Sequence, residues 1–331
     1  MVPSRAFSGM PYHYDIYGLC LESDVCFPEL VPVRPRVRAG GGIRVRLARL
    51  APSKRSAPTA VIRGLQYRFD LRGRFAEIDS SQVGTFRVWF RKRLIEWDDS
   101  GPCVSRGIGR LILRGRVLAM LLAHRETPLL IHADVVAGPR GGVAFSGPIG
   151  AGKSTLAASF LAAGWALVSD DVAVADCRQR QVWVRPGAPE IRLWPSSLRF
   201  FASRGMRARS SALCPATVKK RLLLDRDAPW IFRGEAVRLS AVYDLARGSS
   251  RCVKIWKLGR RDALLVLLKN QYMPFFRNSA VMCRHFEMAA SAAVRVPIKR
   301  LEYPAQWSFL DDVRNAVNDD LRKMDGAEAG I

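Results

Sequence analysis

Eight consecutive residues, Gly147-Pro148-Ile149-Gly150-Ala151-Gly152-Lys153-Ser154, carry the spacing G-x-x-x-x-G-K-[ST]. Glycines at those positions let the backbone curl so that successive N–H groups point inward at phosphate oxygens. A lysine at the seventh position reaches β- and γ-phosphates, and the hydroxyl after it holds Mg²⁺. From Thr155 to Ala163 the chain is rich in strong helix formers, so a helix N-terminus faces the same anion. The pattern predicts ATP and Mg²⁺ as ligands, with residues 147–155 as the binding segment.

The neighbouring residues supply the elements such a loop needs. Val143-Ala144-Phe145-Ser146 is an apolar run of strand type entering it, and Gly164 stands where the helix should be capped. Trp165-Ala166-Leu167-Val168 forms a second apolar run, which ends at Ser169-Asp170-Asp171. Upstream, Leu129 to Val136 reads as a strand, joined to Val143 through the Gly/Pro turn at 137–142. The loop therefore follows a β-hairpin almost halfway along the chain, whereas small nucleotide kinases carry it near the N-terminus on the first strand of a parallel sheet. The Leu-Ser-Gly-Gly signature of transport-type ATPases is absent downstream.

His132, fifteen residues before Gly147, and the pair Asp170-Asp171 just past the second apolar run resemble the catalytic layout of the HPr kinase/phosphorylase group. The resemblance spans roughly residues 107–310. It includes Leu130-Ile131-His132-Ala133, Gly152-Lys153-Ser154-Thr155-Leu156, Leu167-Val168-Ser169-Asp170-Asp171 and Ile191-Arg192-Leu193-Trp194-Pro195. Tyr17-Gly18-Leu19 followed by Phe27-Pro28-Glu29-Leu30 is similar to the opening of a subgroup, the HPr-kinase-like serine kinases encoded beside peptide-modification genes, including lasso-peptide clusters. The resemblance implies an α/β (α+β) chain. A P-loop kinase domain related in fold to phosphoenolpyruvate carboxykinase would cover residues 107–331, with a smaller β-rich N-terminal domain over 1–106. It also implies an ATP-dependent serine kinase acting on a peptide or small protein, with a lasso-type precursor peptide as the leading candidate. The Arg-Gly-Leu-Gly-Ile segment tied to phosphorylase activity in the bifunctional enzymes is missing; Pro186-Gly187-Ala188-Pro189 and Glu190 to Pro195 stand in its place, which favours kinase activity alone.

Phosphoryl transfer asks a protein for positioning and charge neutralisation. An attacking hydroxyl needs a carboxylate within hydrogen-bond reach; by the resemblance that base is Asp170. Asp171 then binds the metal with Ser154 or pairs with His132, which orients an acid or senses the γ-phosphate. Basic groups should meet the developing charge, and Arg192 and Lys220, within Lys219-Lys220-Arg221, are the candidates. Two other readings stay open: a nucleotide-sensing regulatory protein that transfers nothing, and a small-molecule kinase.

Composition bounds the remainder. A chain of 331 residues, 49% hydrophobic, suits two globular domains. Its first hundred residues hold short β-like runs such as Ile43–Leu47, Tyr67–Asp70 and Phe86–Phe90 between Gly, Pro, Arg and Ser turns; a scaffold and a holder for the substrate peptide are equally open there. Helices are expected over Arg110–His124, Asp262–Asn270, Phe286–Ala293 and Ser308–Met324, a strand over Val296–Leu301, and mainly strands between residues 170 and 255. Fifty-three basic residues against twenty-nine acidic ones give +24. Such charge favours phosphate contact, but no recognition helix, RRM-like or zinc-finger signature accompanies it. An acidic peptide substrate or compositional bias is the better reading than nucleic acid. Seven cysteines without C-x-x-C spacing and four histidines argue against structural zinc and for a reduced, cytoplasmic setting. No signal peptide is expected, because no apolar stretch follows Arg5 before Asp15. No apolar run is long enough to span a membrane, and a homo-oligomer is left open.

Overall fold

The structure is a computed structural model that describes residues 10–35, 42–51, 58–62, 64–70, 73–101, 106–125, 128–205, 210–212, 219–224, 230–247, 252–272 and 279–328. The chain divides into two compact units, residues 1–125 and 126–331.

The first unit is built on one sheet of eight strands: β1 (Tyr12–Ile16), β2 (Leu19–Ser23), β3 (Ile43–Leu47), β4 (Ala60–Ile62), β5 (Leu65–Phe69), β6 (Phe75–Ser80), β7 (Gly84–Trp89) and β8 (Leu94–Asp98). Their spatial order is β1-β2-β3-β8-β7-β6-β5-β4. Alternation sets the faces: in β3, Ile43 and Val45 are buried while Arg44 and Arg46 are exposed. A helical run follows, α1 (Arg106–Ile112), a π-turn over Leu113–Val117, and α2 (Leu118–Arg125). The division into compact units falls after this run, whereas the resemblance put the boundary before residue 107. The reason is packing: Leu113, Val117, Leu118 and Leu121 are buried, and Gly109 lies against the Trp97 indole of β8. Glu29 and Phe27 of the Phe27-Pro28-Glu29-Leu30 segment serve this unit too. Buried Glu29 accepts from Arg110 at 3.2 Å, and Phe27 meets Tyr14 edge-on. A Cβ on Gly109 would overlap the Trp97 ring. Gly109→Ala is therefore expected to destabilise this unit by about 1–3 kcal/mol, outweighing the roughly 1 kcal/mol helix-propensity gain. Urea denaturation beside the wild type checks this.

The second unit runs β9 (Leu129–Ile131), β10 (Ala133–Gly138), β11 (Gly141–Ser146), α3 (Lys153–Ala162), β12 (Ala166–Ser169), β13 (Ala173–Arg178), β14 (Gln181–Arg185), β15 (Glu190–Leu193), α4 (Pro195–Ala202), β16 (Ser210–Ala212), β17 (Lys220–Leu223), β18 (Ile231–Phe232), β19 (Val237–Arg247), β20 (Lys254–Lys257), α5 (Arg260–Lys269), α6 (Ser279–Arg295), β21 (Ile298–Tyr303) and α7 (Leu310–Glu328). A ten-stranded mixed sheet follows the order β18-β12-β10-β11-β19-β14-β13-β9, with β21 beside the second half of β19 and β20 outside it. β15, β17 and β16 form a separate three-stranded sheet.

The central strands are apolar on both faces, as strands covered on two sides must be. Val143 and Phe145 of β11, with Ala241, Tyr243 and Leu245 of β19, pack towards α3 and α7. Ala144, Leu239 and Val242 face the opposite layer, where Leu267 of α5 and Ala289 and Ala292 of α6 close the core. The expected hairpin is there, β10 pairing with β11 from Ala133↔Ser146 to Gly138↔Gly141. The expected cap at Gly164 is there as well: its N–H donates to Leu161 at 3.0 Å and that of Trp165 to Phe160 at 3.1 Å.

One expectation is corrected. The strand over 129–136 is interrupted at His132, because Leu129–Ile131 pair with β13 whereas Ala133–Gly138 pair with β11 and β12. The stretch from 170 to 255 is mainly strands, as expected, with one helix among them, α4, which Pro195 starts at its first helical position. Among the described residues, no helix is long and apolar enough to cross a membrane.

Candidate functional site

β11 delivers the chain into the glycine loop, and α3 begins at Lys153 on its far side. Gly147, Gly150 and Gly152 all have positive φ, at 139°, 82° and 99°. Gly152 is required twice over: its φ disfavours a side chain, and a Cβ there would stand 2.9 Å from the Tyr303 hydroxyl. That hydroxyl donates to the Ala151 carbonyl at 3.1 Å, tying the loop to β21. Lys153 is 7% exposed, and its Nζ donates to the carbonyls of Gly147 at 2.8 Å and Pro148 at 3.1 Å, so the ammonium lies within the curl of the loop. Burial lowers its pKa, an effect opposed by Asp134, Asp171 and Asp170. Ile149 projects outward at 70% exposure, while Thr155 Oγ1 meets Ser197 Oγ of α4 at 2.9 Å.

The acidic pair follows β12, the antiparallel neighbour of β10. Val172 N–H donates to the Asp170 carbonyl at 2.9 Å around Asp171, whose φ is +71°. This is a γ-turn of the rare, positive-φ kind. It sends the two carboxylates apart. Asp170 Oδ1 accepts from the Ser154 hydroxyl at 3.4 Å and Oδ2 from Arg192 Nε at 3.0 Å. Asp171 Oδ2 takes the other end of the same guanidinium at 2.9 Å, and Oδ1 lies 3.2 Å from His132 Nδ1. That nitrogen also lies 2.9 Å from the Asp171 carbonyl. Two acceptors face Nδ1, so it carries the proton.

The environments of the two aspartates differ. Burial, reinforced by the charge of Asp134 and only partly offset by Arg192, pushes Asp170 up to about 8. Burial alone would raise Asp171 as well, but Arg192 and His132 outweigh it and hold that carboxyl well below the usual range. Burial lowers His132 despite Asp171 beside it. Desolvation opposes the charge of Arg192, yet Asp171 and Asp170 raise its pKa well above the ordinary value.

The structure therefore brings together Gly147, Gly152, Lys153, Ser154, Asp170, Asp171, His132 and Arg192. Lys220 is not among them. Register explains why: Arg192 lies opposite Arg221 in β17, so Lys220, opposite Leu193, points to the other face. The neighbouring Lys219 is the lysine whose charge acts on Asp170, Asp171 and Lys153. Asp134 was not legible as a site residue. It is 1% exposed and accepts the Asp171 N–H at 2.7 Å, yet a single acid in an apolar strand carries no motif.

Among the described residues no three His, Cys, Asp or Glu side chains converge as a metal cluster. Mg²⁺ needs less than that, because it keeps several waters and takes substrate phosphates as ligands. The Ser154 hydroxyl beside a carboxylate is a hard-oxygen setting that fits it. Asp171, the other expected ligand, is engaged by Arg192 and His132, so a direct metal bond would break both pairs.

No family model matches the chain, and no curated protein matches it. Among solved structures it is similar to the HPr(Ser) kinase/phosphatase from Coxiella burnetii. The two are 11% identical over 61% of this chain and 95% of that one, with a TM-score of 0.35.

Proposed function

We propose that this chain is an ATP-dependent kinase that moves the γ-phosphoryl group to a Ser or Thr hydroxyl of a peptide or small protein. One observation carries the reading: a buried carboxyl, Asp170, stands 3.4 Å from the Ser154 hydroxyl of a glycine loop, held on its other oxygen by Arg192 at 3.0 Å, with burial raising its pKa above the ordinary carboxylate range. A base is most effective where its pKa lies near the operating pH.

The loop N–H groups and the N-terminus of α3 hold the phosphates, and Lys153 neutralises them. Mg²⁺, when bound at Ser154, would offset charge on the β- and γ-oxygens. The acceptor hydroxyl oxygen forms the new bond to the γ-phosphorus as its proton passes to Asp170. The bond from that phosphorus to the β,γ-bridging oxygen breaks, and its electron pair leaves with ADP. Arg192 holds Asp170 in place, and Asp171 with His132 fixes the guanidinium from the other side.

A lasso-type precursor peptide is the first acceptor to try, on the strength of the sequence resemblance. Incubation with γ-labelled ATP and such a peptide should place label on a hydroxyl of the peptide. Label only in inorganic phosphate, or none released at all, would favour a nucleotide sensor, and label in a small molecule would favour a small-molecule kinase. Lys153→Ala should weaken both nucleotide affinity and transfer. Losing hydrogen bonds from a charged group to phosphate predicts roughly 10- to 150-fold in affinity, which titration with a fluorescent ATP analogue measures.

A further inference from the structure

Asp134, second residue of β10, uses its two carboxylate oxygens differently. Oδ1 accepts the Asp171 N–H at 2.7 Å. Oδ2 is buried with no hydrogen-bond partner, in a residue 1% exposed. A turn cap alone needs one acceptor, which Ser or Asn supplies without burying a charge. A bare, buried carboxylate oxygen is a feature that a purely structural cap would not retain.

The turn it holds is the one that aims the catalytic groups. Asp171 lies at a φ that non-glycine residues seldom adopt, and it persists only where the surroundings over-determine it. Three hydrogen bonds hold the backbone N–H groups and carbonyls of the turn: Val172 N–H to the Asp170 carbonyl, the Ser169 hydroxyl to the Val172 carbonyl at 2.6 Å, and Asp171 N–H to Asp134. The last comes from outside the turn and fixes the Asp171 N–H, while His132 Nδ1 meets the Asp171 carbonyl from the other side at 2.9 Å.

We propose that Asp134 is a positioning residue of the transfer site. Its hold on the Asp171 N–H keeps residues 170–172 in the γ-turn that directs Asp170 to Ser154 and Asp171 to His132. The kinetic consequence rests on the kinase reading; the backbone consequence does not.

Two variants test it, Asp134→Ala, which removes the acceptor, and Asp134→Asn, which keeps an oxygen for the N–H. In Asp134→Ala the Asp171 amide should exchange with solvent at least about tenfold faster, by NMR, whereas Asp134→Asn keeps it protected. Transfer per nucleotide-binding site should fall about 10- to 100-fold in Asp134→Ala, the range for losing a group that orients a functional side chain, with Asp134→Asn retaining more. Nucleotide affinity should be no weaker in either, because a negative charge near the phosphates has gone. Equal amide protection in the wild type and Asp134→Ala overturns the proposal, as does transfer per site that Asp134→Ala leaves unchanged. A wild-type protein that binds ATP but transfers nothing defeats the kinase reading, and the amide exchange still judges Asp134.

Discussion

Asp170→Asn is expected to cut phosphoryl transfer by about 10²- to 10⁴-fold, the contribution of a positioned general base, with nucleotide affinity held within roughly threefold. The amide preserves shape; its single oxygen can still accept from Arg192 Nε while its NH2 donates to the Ser154 hydroxyl, so the loop and its Lys153 are left in place. What disappears is the ability to take the hydroxyl proton. Single-turnover transfer to an acceptor peptide, beside a binding titration, separates the two effects. Unchanged transfer in this variant would strip Asp170 of the role. Stability should respond in the opposite sense. The folded-state pKa of Asp170, about 8, lies above that of the unfolded chain. Between the two values the unfolded state binds fewer protons, so this residue makes folding less favourable as pH rises through that window. Asp170→Asn removes that pH dependence. Its melting temperature relative to wild type should therefore climb from pH 5 to pH 8, a pattern that marks a carboxyl kept for chemistry rather than for stability.

The parts of this site that could be read from sequence are those whose residue types carry their own mechanism. Gly147 to Ser154 carry, by composition and spacing alone, the pattern expected of a phosphate cradle, and the apolar runs on either side specify the strand and helix that flank the loop. Asp170 and Asp171 stand out because two acids ending an apolar run have no packing role. The missed features depend on partners far along the chain. Whether Lys219 or Lys220 faces the site is decided by the register of β17 on β15. The break at His132 arises because β9 and β10 join different neighbours, and the imidazole reaches Asp171 from that break. Asp134 looks like any polar residue in a buried strand until the Asp171 N–H is found against it. Helix α4 is different: Pro195 followed by Ser196 and Ser197 is a legitimate start signal, overshadowed by the strand-like Ile191-Arg192-Leu193 before it.

Arg192 is the residue on which the arrangement of charges depends most. One guanidinium spans two adjacent carboxylates, Nε on Asp170 and an Nη on Asp171, with its side chain only 15% exposed. Removing it leaves both acids beside each other and beside Asp134 without their main counter-charge. Breaking a buried pair by deleting one partner costs about 3–5 kcal/mol, so Arg192→Ala should unfold at markedly lower urea concentration at pH 7.5. Arg192→Lys should recover less than half of that loss, because a single ammonium cannot bridge two carboxylates from a planar fork. The deficit should grow as pH rises through about 8, where Asp170 gives up its proton in the wild type but not in the variant that lacks Arg192. A double-mutant cycle gives the sharper test. With Arg192 gone, Asp170 is the carboxylate most penalised by burial, so adding Asp170→Asn to Arg192→Ala should restore stability. If the double variant is less stable than Arg192→Ala alone, the guanidinium is not there to compensate Asp170, and the charge balance drawn for this turn is wrong.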